Sequence, residues 1–410
     1  IKRRTPMKKL LTSLAVIVLL GAAVATYFPQ SGEGQRLQFI STLFTGVEQN
    51  ENFAKVAEMF PSTKLNPSSN PFDFVEGDVI GLPTNFKYKD ALVDTRSFLQ
   101  ETDTSAVLVI QKGAVRYEEY LLNGGRNVNW LSMSVAKSFI SAMIGIAVED
   151  GKINNIEESV TQYVPSLKGS AYDGVRIKDL LQMSSGARWN EDYGDPESDI
   201  NRMGKIMALG GSLNEFAATL TTDKPPGTYN LYNSTDTQVL GMLLQAATGQ
   251  SVTAYMQAKL WEPLGMESPA YWMIDDEGME MVFGGLNATA RDYAKLGELY
   301  RLQGQWQGSQ LVPAQWVTDS ITPDAPHLLP GENPMSDFDM GYGYQWWIMD
   351  GDRGDYSAIG VYNQFIYVDP SKGLVVVKLS ANSDYAATNE ESSFREFETI
   401  EFMRAIGDLF

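Results

Sequence analysis

No cysteine occurs in the 410-residue chain, and histidine occurs once, as His327 within Ala325-Pro326-His327-Leu328-Leu329-Pro330. The first absence excludes disulfides, thiolate metal sites, a cysteine nucleophile and a lipid-modified cysteine. The second leaves no basis for a histidine-rich metal centre, and any Ser-His-Asp triad would depend on one imidazole. Basic residues are also scarce, with 32 Lys plus Arg against 51 Asp plus Glu, a formal net charge of −19. Such a surface repels phosphate backbones, so nucleic acid is not expected as a partner. No motif points to a metal or a cofactor. Hydrophobic residues make up 43% and charged residues 20%, the composition of a chain that buries a large core rather than one disordered throughout.

One long apolar run, Leu10 to Phe28, stands behind Lys2, Arg3, Arg4, Lys8 and Lys9. As a helix it would be about 28 Å long, at the short end of what crosses a bilayer core. Ala23-Val24-Ala25 supplies a small-residue cleavage site. A removed signal peptide and a retained single-pass membrane anchor both fit residues 1–28. Because the positive charge precedes the run, either one sends the rest of the chain to the periplasm or another extracytoplasmic space. Residues 29–75 read as a spacer, turn-rich from Pro61 to Pro71, and residues 76–410 as one large domain.

Within that domain, Ala106 to Gln111, a Lys112-Gly113 turn and Ala114 to Leu121 read as a hairpin. Ala136, Phe139, Ile140, Met143, Ile144 and Ala147 recur at three and four, a helix stopped by Gly151. From 152 to 330 the patterns are short helices with long connections, including Gln238 to Ala247 and Ala290 to Leu302. Strand signals return at Tyr342 to Ile348, Gln364 to Val368 and Leu374 to Leu379. A last helix carries Phe394, Phe397, Ile400, Met403 and Ile406 on one face. Strands at both ends with helices between predict an α/β (α+β) domain: one antiparallel sheet flanked by helices, with a mostly helical subdomain inserted.

The chemistry-bearing residues begin with Ser134-Val135-Ala136-Lys137 at the start of the strong helix. A spacing of three puts both side chains on one face, so the ammonium can activate the hydroxyl without histidine. The serine N–H, at a helix start, points where an oxyanion would form. The second element is Tyr229-Asn230-Leu231-Tyr232-Asn233-Ser234 before an apolar helix. A tyrosine on such a turn reaches a cleft, and its phenolate serves as a base if nearby cations lower its pKa. Each element alone also fits a plainer account, a capping serine with a solvated lysine and a buried loop aromatic. Trp189, Trp346 and Trp347 fit either a cleft lining or ordinary packing. The acids Glu191, Asp192, Asp195, Glu197 and Asp199 fit a solvated face better than an amine site.

At this spacing the two elements resemble the serine β-lactamase and penicillin-binding superfamily, and within it the class C β-lactamase-like group that includes family VIII esterases and 6-aminohexanoate-dimer hydrolases. Lys178-Asp179-Leu180-Leu181-Gln182-Met183-Ser184-Ser185-Gly186, Gly284-Gly285-Leu286-Asn287 and Gly341-Tyr342-Gly343-Tyr344-Gln345-Trp346-Trp347 are similar to further landmarks, over roughly residues 76 to 408. The resemblance implies the β-lactamase/transpeptidase fold, Ser134 as acylated nucleophile, Lys137 as its partner and Tyr232 as the proton shuttle. Two departures stand out. The usual Tyr-x-Asn is Tyr232-Asn233-Ser234, and the third motif aligns with Ala358-Ile359-Gly360, lacking the cation that binds a substrate carboxylate. Arg353 is the nearest cation in sequence. The small-residue third motif resembles the nylon-oligomer hydrolases, which implies Val361, after Gly360, as the second oxyanion donor and Tyr193 as a contact for the scissile amide. The implied function is an exported serine hydrolase acting on a small-molecule amide or ester. A β-lactamase or D-Ala-D-Ala carboxypeptidase, and a silent tethered binding protein of the same fold, are the competing readings.

Overall fold

The computed structural model describes residues 42–44, 48–388 and 390–410, so the apolar run at 10–28 lies outside the described residues. Eight strands, β1 (Val75–Glu76), β2 (Thr104–Gln111), β3 (Ala114–Tyr120), β4 (Gly341–Tyr342), β5 (Trp347–Ile348), β6 (Tyr356–Gly360), β7 (Gln364–Asp369) and β8 (Leu374–Ser380), form one sheet. Their spatial order is β4-β5-β6-β7-β8-β2-β3-β1, antiparallel throughout except that β1 runs parallel to β3. The β2–β3 hairpin turns at Lys112-Gly113 as the pattern predicts, with a register shift between Val109 and Ile110.

The central strands are buried along their whole length, which is why they read as continuous apolar runs rather than alternating ones. Their side chains still alternate. Ala106, Leu108, Ile110, Val375 and Val377 belong to one core, which takes in the helices α1 (Ala136–Glu149), α2 (Ser234–Thr248) and α3 (Ala290–Arg301). Val107, Val109, Leu374 and Val376 belong to a second core with Ile400, Met403 and Ile406 of α4 (Glu396–Gly407). The last helix therefore uses the face its spacing marks out, although Arg395, at φ +55°, breaks off Glu391–Phe394 as a separate turn.

Two expectations need correction. The segment expected as a spacer up to residue 75 is built into the fold. The helix Gln49–Met59 buries Phe53 and Val56 completely, and Ser62–Leu65 pairs with Ala270–Met273. That pairing starts a second, four-stranded sheet, completed by Leu286–Ala288 and Trp130–Leu131. The pairing partners are some two hundred residues away, so a local pattern does not reveal them. The continuous strand expected over Tyr342 to Ile348 is instead a tight β4–β5 hairpin. Gln345 sits at φ +62° and its amide donates to the carbonyls of Leu180 and Leu181, which pulls the turn out of the sheet.

Candidate active site

Ser134 lies where the two sheets meet. Trp130–Leu131 pairs with Leu286–Ala288, the Ser132 N–H donates to Leu286 O, and the chain then turns through the 3₁₀ segment Met133–Val135 into α1. Met133 occupies the left-handed region at φ +46°, a costly conformation for a non-glycine residue, held here by the packing on both sides. Ser134 keeps 8% of its surface exposed at the head of a helix whose first twelve residues are all buried.

Lys137 follows one turn later and is 1% exposed. Its Nζ donates to Ser134 Oγ at 2.8 Å, to Phe283 O at 2.9 Å and to Ser234 Oγ at 3.1 Å. Burial drives its pKa down to about 7, against an upward pull from the Glu191 charge. The side chain thus changes its proton near neutrality while hydrogen-bonded to a hydroxyl.

Local capping chemistry explains the Tyr232-Asn233-Ser234 triplet. Asn233 is the N-cap of α2 and accepts from Thr235 N at 2.8 Å, so Ser234 is the first helical residue and its hydroxyl is free to turn into the site. Tyr232 packs its ring on Trp347 at 5.1 Å, nearly parallel, and edge-on against Tyr342 and Phe338. The Lys137 ammonium lies 4.9 Å from the same ring. Burial first, then the Glu191 charge, raise the Tyr232 phenol well above its ordinary value, and the hydrogen bond with Ser134 opposes them. The condition for a phenolate base, a cation that lowers its pKa, is therefore not met, although the Lys137 ammonium lies over the ring. Tyr232 is a neutral phenol.

The residue the sequence did not single out is Glu191. It was grouped with the solvated acids of its loop, but its carboxylate is turned inward. Glu191 accepts from Ser234 Oγ at 2.7 Å, Ser234 N at 3.1 Å, Tyr193 OH at 2.9 Å and the Trp189 indole N–H. A carboxylate at the first N–H of α2 is where the helix dipole favours negative charge. The signal was present as alternation. In an extended stretch, Trp189, Glu191 and Tyr193 share one side, and both aromatic donors reach the acid between them. The other acids behave as expected or brace the loop: Glu197 faces Lys205 at the surface, and Asp199 is buried between Arg188 and Arg202.

The third motif closes the site. β6 ends at Gly360, and a Cβ there would stand 2.9 Å from Ser134 N and 2.7 Å from Ser132 O. Only glycine lets the strand run this close to the nucleophile's turn. Val361, half-buried, is the next residue. Ala358 is 1% exposed within the sheet, and Arg353 is directed to Asp408, Arg404 O and Asp369, away from Ser134. Trp347 therefore lines the Tyr232 pocket and Trp189 supports Glu191. Trp346, fully buried against Tyr300 and Tyr356, is packing.

The family model named Beta-lactamase matches residues 90–396. The chain belongs to the beta-lactamase family. Within it, 343 residues are 30% identical to the 6-aminohexanoate-dimer hydrolase of Paenarthrobacter ureafaciens, covering 81% of this chain and 85% of that protein. A candidate 6-aminohexanoate-dimer hydrolase from Bacillus anthracis superposes with a TM-score of 0.79 over 90% of this chain and 96% of its own, at 21% identity. A penicillin-binding protein from Bacillus halodurans superposes at 0.57 over 77% and 99%, at 17% identity. At those identities the structural likenesses establish the β-lactamase/transpeptidase-like fold. The chain is a serine hydrolase of that family.

Proposed function

We propose that this hydrolase cleaves amides or esters through an acyl-enzyme on Ser134, with Lys137 as the base. The observation that carries the proposal is the 2.8 Å hydrogen bond between Lys137 and Ser134 Oγ in a burial that brings the amine down to about 7. Neutral Lys137 takes the Ser134 proton as Oγ attacks the carbonyl carbon. The carbonyl oxygen, now anionic, is received by the N–H groups of Ser134 and of Val361, the residue after the glycine that runs against Ser134 N. The leaving amine or alcohol takes a proton from the neutral Tyr232 phenol, which is resupplied from the Lys137 ammonium. Water then attacks the acyl ester by the same route in reverse, giving the acid and restoring Ser134. Glu191 holds Ser234 and steadies the ammonium formed on Lys137. Tyr193, anchored on Glu191, contacts the scissile group in this scheme.

No cation stands at Ala358, and Arg353 is committed elsewhere. This favours neutral amides and esters over penicillins and D-Ala-D-Ala peptides. The test is Ser134→Ala with a fluorophosphonate probe. The variant is expected to lose both turnover and the mass adduct while stability stays within about 1 kcal/mol, since one hydroxyl is removed. A stoichiometric adduct on the variant would place the nucleophile elsewhere. We further propose that residues 1–28 export the chain, which fractionation of the expressed full-length protein checks.

A further inference from the structure

The two N–H donors of the oxyanion pocket come from different sheets. Ser134 follows the strand Trp130–Leu131 of the second sheet, and Val361 opens the three-residue turn between β6 and β7 of the large one. Two side chains outside the catalytic motifs tie these stretches together. The first is Gln364, fully buried at the start of β7. Its Oε1 accepts from the Trp130 indole N–H at 3.1 Å, and its Nε2 donates to Ser380 O at 2.6 Å, Tyr362 O at 3.0 Å and Val361 O at 3.3 Å. The second is Phe53, from the helix Gln49–Met59 that precedes every strand of the large sheet. Its ring, fully buried, meets Trp130 edge-on with centroids 5.9 Å apart and Tyr362 edge-on at 5.4 Å. Phe44 lies flat on Tyr362 at 5.4 Å, and Tyr385 packs on the same ring at 5.2 Å. The turn needs this support, because Tyr362 and Asn363 both lie in the left-handed region, at φ +64° and +66°. Asparagine adopts that conformation readily and is fixed here, its Nδ2 donating to Phe394 O at 2.8 Å and its Oδ1 accepting from Asn382 at 2.7 Å. For tyrosine the conformation is costly and persists only where the surroundings hold it. Tyr362 is bonded directly to Val361, so a shift of its ring off Phe53 carries the turn with it. An oxyanion donor misplaced by about 1 Å costs on the order of 10²-fold in rate.

We propose that Phe53 is a positioning residue for the oxyanion pocket: wedged between Trp130 and Tyr362, it fixes the Val361 N–H relative to that of Ser134, while Phe44 holds Tyr362 from outside. The proposal rests on the oxyanion role given to Ser134 and Val361 above, and it makes the segment ahead of the large sheet a part of the active site. The test compares kcat/KM for p-nitrophenyl acetate and p-nitrophenyl thionoacetate, which differ only in C=O against C=S. Sulfur is a weak acceptor, so the thiono ester draws little from the two N–H groups and the oxo-to-thiono ratio reads the pocket itself. The wild type is expected to favour the oxo ester by about tenfold or more. Phe53→Leu and Phe44→Ala are expected to lower that ratio by about three- to tenfold, through a slower oxo reaction beside a thiono reaction near the wild-type rate. A role confined to stability would lower both rates by one factor and leave the ratio unmoved. Phe44 is 43% exposed, so its variant leaves the core intact and reads the turn even where Phe53→Leu folds poorly. A ratio within about twofold of the wild type in every variant that folds overturns the proposal and leaves the acyl-enzyme reading standing. No oxo preference in the wild type, or no fluorophosphonate adduct on Ser134, would instead remove the oxyanion reading and the proposal with it.

Discussion

Lys137 and Lys378 are both sealed from solvent, at 1% and 0% exposure, and burial drives both amines below the ordinary lysine range. Their surroundings differ. Lys137 donates to two hydroxyls and a carbonyl, one of the hydroxyls belongs to Ser134, and the Glu191 carboxylate acts on it through Ser234. Lys378 projects from β8 into the other core, where its Nζ donates to Ser380 Oγ at 2.6 Å and lies 5.3 Å from the Phe98 ring. Arg395 depresses it further, against weaker pulls from Asp103 and Glu398. Desolvation alone makes a neutral amine. A base for catalysis also needs a proton to take, an acid that returns its pKa to the working range, and a route to substrate.

The comparison can be broken in four ways. The largest effect is expected for Lys137→Ala, which should lower kcat/KM by about 10²-fold or more. In the wild type the neutral amine is the working form, so the rate should fall as pH drops below about 7 and level off above it. Next, Glu191→Gln should reduce the rate by about tenfold and move that acid limb to lower pH, because the charge that raises Lys137 is gone. An unmoved limb would reduce Glu191 to a loop brace. Lys378→Met should leave the pH–rate profile alone and, by chemical denaturation at pH 7, be neutral to stabilising by about 1–3 kcal/mol. The sign follows from its depressed pKa. The unfolded chain holds a proton that the folded one gives up, so wild-type stability should rise with pH towards the ordinary lysine range, and the variant should lose that slope. The smallest effect is expected for His327→Ala. His327 meets Ser184 Oγ at 3.1 Å, far from any role in the proposed chemistry, so the rate and its pH dependence should stay as they are. A hundredfold loss would revive a histidine mechanism.

What could be read from the chain follows the range of the interactions. Ser134 and Lys137 share one helical turn, and the β2–β3 hairpin closes over two residues, so spacing alone reveals them. Glu191 escaped because its partners, Ser234 and Lys137, come from other parts of the chain, and in isolation an Asn-Glu-Asp run looks solvated. Arg353 was indistinguishable from a cleft cation until its contacts with Asp408 and Asp369 fixed its direction. The docking of the helix Gln49–Met59, whose pattern is legible around Phe53 to Phe60, was hidden for the same reason: the Trp130 and Tyr362 rings that meet Phe53 lie far along the sequence.

The approach of Gly360 to Ser134 N joins two stretches of chain more than two hundred residues apart. The oxyanion pocket is thus a product of completed folding. β6 reaches β2 only through β7 and β8, so the strand that carries Gly360 to Ser134 is held by residues from the last fifty of the chain.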